Sequence, residues 1–183
     1  YLLLSLGSII YLIIIYEIII IFKNKLFYIL IYVIFSFLIY LLFFYFFFNL
    51  FVFNLLIVTI ISFDTFSYII GILFGKNYPF KKISPKKTVE GYLGGIFLTN
   101  VSIFLFFQLS MENYVKINYF LFINAIILFA LLGDLIQSFF KRINNTKNSS
   151  SFLPGHGGFF DRFDGFIPSI MFLTFFTYLY NAY

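Results

Sequence analysis

The chain has 183 residues, of which 62% are hydrophobic and 10% are charged, whereas ordinary soluble domains have about 45–50% apolar and about 25% charged residues. So few charged residues could not cover the large surface of a soluble domain of this size. The polar residues are also clustered, and they leave apolar runs of about twenty residues, the length of a membrane-spanning helix. This pattern excludes a soluble globular protein, a disordered chain and a coiled coil. It predicts an all-α, polytopic bundle of transmembrane helices.

The remaining composition excludes several kinds of site and partner. The chain has no cysteine, which excludes disulfides, a thiolate nucleophile and a cysteine-based zinc site. The net charge of +5 fits basic loops on one side of a membrane better than nucleic-acid binding, so no nucleic-acid partner is expected. The first 22 residues lack a basic segment and a cleavage site, so no cleaved signal peptide is expected. Because the chain begins at Tyr1 rather than Met, we expect a fragment or a trimmed chain.

Six apolar segments have the length of membrane spans. In chain order they cover residues 1–22, 26–48, 50–73, 92–110, 119–140 and 166–183. We expect residues 1–60 to form N-terminal transmembrane helices and residues 61–183 to form a catalytic transmembrane region. Within that region, functional loops are expected at residues 74–91 and 141–165.

The basic residues predict the orientation of the chain. Six spans place three loops on one side, and these loops contain 11 of the 12 lysines and arginines: Lys23, Lys25, Lys76, Lys81, Lys82, Lys86, Lys87, Lys141, Arg142, Lys147 and Arg162. The exception is Lys116. By the positive-inside rule these loops face the cytoplasm and both ends of the chain face outward. We therefore expect a multi-pass protein of the cell membrane.

The loop at 74–91 contains a compact basic motif, Ser84-Pro85-Lys86-Lys87-Thr88. Ser-Pro before a helix predicts free backbone N–H groups beside two ammonium groups, and such a helix start binds phosphate. The alternative is a basic loop that contacts anionic headgroups. Both interpretations stay open at this point.

The loop at 141–165 contains a glycine-rich run that is followed by Asp161 and Asp164. Glycines allow the backbone to approach phosphate oxygens closely, and two acids three residues apart share one face of a helix. Such a pair suits Mg²⁺. Alternatively, both acids favour the N-terminus of the sixth helix through its dipole. His156 could donate to a phosphate or close a turn.

Two acids lie inside apolar segments, Asp64 in the third span and Asp134 in the fifth. A carboxylate at membrane depth costs about 2.5–3.5 kcal/mol, so it usually faces a polar cavity or a cation. Ser138 follows Asp134 by one helical turn and shares its face. Glu17, close to the lysines of the first loop, is expected to mark an interfacial helix end. Acids that hold a divalent metal, together with cations that hold phosphates, are typical of phosphoryl or nucleotidyl transfer.

The 27 residues from Ser138 to Asp164 resemble the signature of the phosphatidate cytidylyltransferase (CDP-diacylglycerol synthase) family. The resemblance rests on Ser138, Lys141, Arg142, Lys147, Leu153, Pro154, Gly155, His156, Gly157, Gly158, Asp161, Arg162 and Asp164. Motifs at residues 64–71, 74–76 and 84–91 resemble those of the same family in the same order. Members make CDP-diacylglycerol and pyrophosphate from CTP and phosphatidate with Mg²⁺.

The resemblance implies roles for individual residues. It implies metal ligation by Asp134 and Asp161 with Ser138 beside them, and a second cation stays open. The catalytic set that it implies is Asp134, Asp161, Asp164, Lys87 and Asp64. The substrate-binding set is Ser84, Lys86, Lys87, Lys141, Arg142, Lys147, His156, Gly157, Gly158 and Arg162. The implied partners are CTP, phosphatidate and the lipid bilayer, with a homodimer as one open oligomeric state.

The chain is short for the family, so the resemblance implies a member that lacks N-terminal spans. Two positions also depart from the family pattern. Asn148 stands where the family usually has Asp, and Ile72 stands where a basic residue usually follows the glycine. Two alternatives therefore accompany the main hypothesis. One is another CTP-dependent lipid enzyme, such as a polyprenol or phytol kinase or an archaeal-lipid cytidylyltransferase. The other is a non-catalytic relative that binds lipid or nucleotide.

Overall fold

The computed structural model describes residues 1–109, 117–146, 149–150 and 157–181. Its helices are α1 (Leu2–Ile21), α2 (Leu26–Leu42), a π-helical turn (Phe43–Phe47), α3 (Leu50–Phe74), α4 (Val89–Leu109), α5 (Ile117–Ile143) and α6 (Phe166–Asn181). The predicted all-α class is confirmed over this part of the chain.

Among the described residues, five helical segments are long and apolar enough to cross a membrane: Leu2–Ile21, Leu26–Phe47, Leu50–Phe74, Val89–Gln108 and Tyr119–Ile143. The protein is therefore a polytopic helical membrane protein, as predicted. Within the described residues, the sixth predicted span corresponds to a shorter helix. Helix α6 has 16 residues, which at about 1.5 Å per residue span roughly 24 Å, less than the ~30 Å hydrocarbon core.

The chain forms two compact units. The first unit contains residues 1–49 and 130–183, and the second contains residues 50–129. Helix α5 begins in the second unit and ends in the first. The predicted functional division at residue 60 stays a prediction.

Buried hydroxyl groups connect three helices of the first unit. The Tyr11 hydroxyl on α1 lies 2.7 Å from Ser36 Oγ on α2, and Ser36 Oγ donates to the Ile167 carbonyl of α6 at 3.0 Å. Because a buried polar group without a partner is costly, these bonds favour one arrangement of the helices.

The turn between α1 and α2 is bound to the end of α5. Asn144 Oδ1 accepts hydrogen bonds from the backbone N–H groups of Lys23 at 3.0 Å and Asn24 at 2.7 Å. In return, the Asn24 side chain donates to the Ile143 carbonyl at 3.2 Å. The Ile143 carbonyl is one of the groups that the end of α5 leaves unpaired, and the three bonds together bring the first basic loop next to that end.

Small residues bring α3 and α4 close together in the second unit. A Cβ atom on Gly91 would lie 2.7 Å from the Ser67 carbonyl oxygen and 3.2 Å from Gly71 Cα. A Cβ atom on Gly95 would lie 2.8 Å from Ser67 Cβ. Ser67 and Gly71 are four residues apart, as are Gly91 and Gly95, which is the spacing of closely packed membrane helices.

Replacing Gly95 by alanine is expected to destabilise the protein by about 1–3 kcal/mol, because the added methyl group overpacks this contact. Thermal unfolding of the purified protein in detergent measures the effect. Leu93→Ala is the matched control, since Leu93 lies on the same helix with 64% of its surface exposed. Equal melting temperatures for the two variants would contradict the close approach of the helices.

Candidate active site

Asp161 lies in the turns before α6 and accepts five hydrogen bonds. Its Oδ1 atom accepts from Gln137 Nε2 at 2.6 Å and from Lys141 Nζ at 2.8 Å. Its Oδ2 atom accepts from the Ser149 backbone N–H at 2.8 Å, from Ser149 Oγ at 2.9 Å and from the Gly158 N–H at 3.1 Å. The end of α5 and the signature loop are therefore joined through one carboxylate.

These contacts keep the Asp161 carboxylate ionised. Burial by itself raises the pKa of Asp161, but hydrogen bonds from Lys141, Ser149 and Gly158 and the charge of Lys141 outweigh it and hold the pKa below its ordinary value of 3.8. The Lys141 and Asp161 side chains, 15% and 12% exposed, form an ion pair at 2.8 Å. A negative charge is thus maintained at this position at neutral pH.

The face of α5 that contacts Asp161 also carries Asp134 and Ser138. Positions 134, 137, 138 and 141 follow the i, i+3, i+4, i+7 spacing of one helix face. Asp134 is half-buried, and Gln137 and Ser138 are buried. The fold therefore brings Asp161 onto the face that carries Asp134. Sharing of one ion by the two carboxylates stays a prediction.

The side-chain oxygen atoms on this face are of the types that a hard divalent cation binds. Gln137 Oε1 is buried and has no hydrogen-bond partner among the described residues. With the Asp134 carboxylate and the Ser138 hydroxyl it forms a set of oxygen donors of the kind that Mg²⁺ takes. Asp161 already fills its roughly four acceptor positions, so it could join only if the Lys141 ammonium moved away. No group of three or more acidic, His or Cys side chains is assembled for a metal within the described ranges.

Two glycines of the signature loop are required by the structure around the carboxylates. Gly157 has φ +81°, a left-handed conformation that favours glycine. A Cβ atom on Gly158 would collide with the hydroxyls of Ser149 and Ser150. The resemblance implies a Gly157–Gly158 backbone near phosphates, whereas in this structure the Gly158 N–H donates to Asp161.

The second acid of the motif lies outside a helix. Asp164 is half-buried, and its Oδ1 atom accepts from the Gly165 N–H at 2.7 Å. The expectation that Asp161 and Asp164 share a helix face is wrong, because residues 161–165 form turns and α6 begins at Phe166. Arg142 and Arg162 are exposed.

In the second unit, the basic motif ends in a helix cap. Thr88 is buried, and its Oγ1 atom accepts from the Gly91 N–H at 3.1 Å, as an N-terminal capping residue does. The Val89 N–H donates to the Asn77 carbonyl at 2.9 Å. The expectation of free N–H groups at this helix start is therefore wrong for Val89 and Gly91.

Glu90 closes the loop that precedes α4. Its carboxylate accepts from the backbone N–H groups of Lys76 at 3.1 Å and Asn77 at 3.2 Å, and from Asn77 Nδ2 at 2.7 Å. The two ends of the 74–91 loop are thus joined by Glu90, which fixes the stretch that carries the lysines.

The predicted residues of this unit differ in exposure. Ser84 is buried, Lys87 is half-buried, and Lys86 and Asp64 are exposed. Their roles stay predictions. The predictions for Lys147, Asn148 and His156 fall outside the described residues and also stay predictions.

Glu17 makes contacts with the signature loop that were not predicted from the sequence. Its side chain is 1% exposed and accepts hydrogen bonds from that loop, and its expected place at an interfacial helix end stays a prediction. An acid inside an apolar span is costly, which is why Asp134 was singled out. The same argument applies to Glu17 and would have identified it. Gln137 was also missed, although it lies one turn from Asp134.

Comparison with known proteins identifies the family. The model of the cytidylyltransferase family matches residues 2–180. A phosphatidate cytidylyltransferase of Bacillus subtilis is 41% identical over 125 residues, which are 68% of this chain and 46% of that protein. Enzymes of the same name from Staphylococcus epidermidis and Staphylococcus aureus are 43% and 39% identical over 105 and 107 residues, each match covering 57% of this chain and 40% of the relative. The chain thus spans less than half the length of these relatives. Because the family pattern extends over nearly all of it, the protein belongs to the cytidylyltransferase family.

Proposed function

We propose that the protein is a CTP:phosphatidate cytidylyltransferase that makes CDP-diacylglycerol and pyrophosphate for phospholipid synthesis. The observation that carries the proposal is the ionised Asp161, which is held between the signature loop and the face of α5 that carries Asp134. The names of the relatives support the choice of substrates.

The reaction needs no side-chain nucleophile. A phosphate oxygen of phosphatidate attacks the α-phosphorus of CTP, the bond to the β-phosphate oxygen breaks, and pyrophosphate leaves. Negative charge builds on the non-bridging and leaving oxygens, and positively charged groups stabilise it. We assign this role to Lys141, Arg142 and Arg162 of the first unit. For Lys86 and Lys87 we propose phosphate binding, as the resemblance implies.

The proposed cofactor is Mg²⁺. Asp134, Gln137 Oε1 and Ser138 would hold it, together with Asp161 once Lys141 has moved away. When bound, the ion would supply positive charge to the triphosphate oxygens. The chain's own part is to keep these oxygen donors on one helix face and to keep Asp161 ionised.

We also propose that the basic loops face the cytoplasm, where CTP is available. The hydrogen bonds between Asn24 and Asn144 support this orientation, because they place the lysines of the first loop beside the end of α5 that carries Lys141 and Arg142. Two basic segments therefore lie on one side of the helices, as the positive-inside rule requires.

Membranes that contain the protein are expected to form CDP-diacylglycerol from labelled CTP and phosphatidate, and to lose this activity when Mg²⁺ is chelated and regain it when Mg²⁺ is restored. Thin-layer chromatography of the lipid fraction measures the product. Membranes without the protein are the control. Transfer of a phosphoryl group from CTP to a polyprenol or phytol would support the kinase alternative. Binding of CTP without any lipid product would support a non-catalytic relative.

A further inference from the structure

Glu17 connects the first helix of the chain to the signature loop. Its Oε1 atom accepts from Ser150 Oγ at 2.6 Å and from the Phe159 N–H at 3.0 Å, and its Oε2 atom accepts from the Phe160 N–H at 3.0 Å. The donors follow Glu17 in the chain by 133, 142 and 143 residues. Because a buried carboxylate in an apolar helix is stable only with such partners, these contacts explain an acid at this position.

Glu17 and Asp161 accept hydrogen bonds from neighbouring residues of the same loop. The backbone N–H of Gly158 donates to Asp161, whereas the next two N–H groups, of Phe159 and Phe160, donate to Glu17. In the earlier part of the signature loop, Ser149 donates to Asp161 and Ser150 donates to Glu17. The position of the Asp161 partners is therefore coupled to Glu17 through adjacent peptide units.

Packing around Glu17 supports the same coupling. A Cβ atom on Gly158 would lie 2.7 Å from Glu17 Oε2, so the carboxylate lies directly against the glycine. Phe160 is fully buried, and its ring packs edge-on against that of Phe22 at 6.0 Å between centroids. The turn is thus fixed on α1 by polar and aromatic contacts together.

We propose that Glu17 is a positioning residue for cytidylyl transfer, which acts by holding the Gly158–Phe160 turn and, through that turn, the Asp161 carboxylate. This inference rests on the proposed function. Glu17 itself is not expected to touch either substrate.

The test compares Glu17→Gln with Tyr11→Phe in the full chain. Glutamine keeps the size of the side chain but turns an NH₂ group toward donors that need an acceptor. We expect kcat to fall about 10²-fold, as for a misplaced catalytic group, while the KM for CTP changes less than threefold. Tyr11 is the matched control, because it lies on the same helix, is also 1% exposed and loses one buried hydrogen bond without touching the loop. Its kcat should stay within twofold of the wild type.

Hydrogen exchange, followed by mass spectrometry without substrates, gives a second readout. We expect faster exchange of the peptide that contains residues 157–163 in Glu17→Gln and unchanged exchange there in Tyr11→Phe. If Glu17→Gln does not accumulate, Glu17→Asp, which keeps both oxygens on a shorter side chain, replaces it in both measurements.

The outcomes separate this proposal from the proposed function. A Glu17 variant with wild-type kcat and unchanged exchange would overturn the positioning role, as would equal losses of kcat in the Glu17 and Tyr11 variants. If the wild type makes no CDP-diacylglycerol while exchange of the loop still accelerates in the Glu17 variant, the proposed function fails and the coupling of Glu17 to the loop is retained.

Discussion

Replacing Asp161 by asparagine is expected to lower cytidylyl transfer by about 10³-fold. The carboxylate would help to hold the cation that neutralises the triphosphate oxygens, and the loss of such charge stabilisation costs about 10²–10³ in rate. Asparagine keeps the shape of the side chain but removes the negative charge. It also replaces one acceptor oxygen by an NH₂ group, which cannot accept the hydrogen bonds that this oxygen received. Initial rates of CDP-diacylglycerol formation, measured at matched amounts of protein in the membrane, give the effect.

The thermal stability of the same variants must also be measured, because Asp161 joins the end of α5 to the signature loop. Its loss leaves the half-buried Lys141 ammonium, 15% exposed, without its charged partner, and we expect this to cost about 1–3 kcal/mol of stability. The double variant Asp161→Asn/Lys141→Gln leaves neither charge, and removal of both partners is expected to restore most of the stability. Activity that returned together with stability, or an Asp161→Asn protein with unimpaired transfer, would contradict a catalytic role.

Replacing Lys87 by glutamine is expected to lower turnover by about 10²–10³-fold if its ammonium group contacts a phosphate in the transition state. Attraction of the loop to anionic lipid would be worth only about 1 kcal/mol per lysine, and its loss would be mild. The structure separates the lysines of this loop, since Lys87 is half-buried whereas Lys81 and Lys86 are exposed.

Lys81→Gln is the matched control for Lys87→Gln. It removes the same charge from the same loop but lies outside the motif at residues 84–88, so we expect turnover within twofold of the wild type. Both variants should reach the membrane in wild-type amounts, which immunoblots of membrane fractions measure. Equal, small losses of turnover at both positions would show that the loop is a general basic surface.

The helices could be predicted because a backbone in lipid must satisfy its own hydrogen bonds, so long apolar runs form helices. Their ends could not be predicted equally well. Helix α4 begins at Val89 and α5 continues to Ile143, beyond the apolar segments at 92–110 and 119–140. Hydropathy marks where the hydrocarbon ends, whereas capping contacts determine where a helix begins or ends. Thr88 caps the start of α4, and the Asn144 side chain donates to the Phe140 carbonyl at the end of α5 at 3.0 Å.

The site was predictable where chemistry is local and was missed where it depends on tertiary contacts. Asp134 could be predicted because it is an acid inside an apolar segment, and Asp161 because it belongs to the signature. The contact of Glu17 with Phe159 and Phe160 joins segments 142 and 143 residues apart. No periodicity or motif spacing carries that information, because backbone N–H directions depend on the folded loop.

The position of the phosphorus label that enters lipid tests the proposed reaction most directly. Membranes that contain the protein are given phosphatidate and CTP labelled either on the α-phosphorus or on the γ-phosphorus. Attack at the α-phosphorus predicts that only the α-label enters the lipid product and that the γ-label leaves in pyrophosphate. Entry of the γ-label into lipid would show transfer of the terminal phosphoryl group, as by a CTP-dependent kinase, and would contradict cytidylyl transfer.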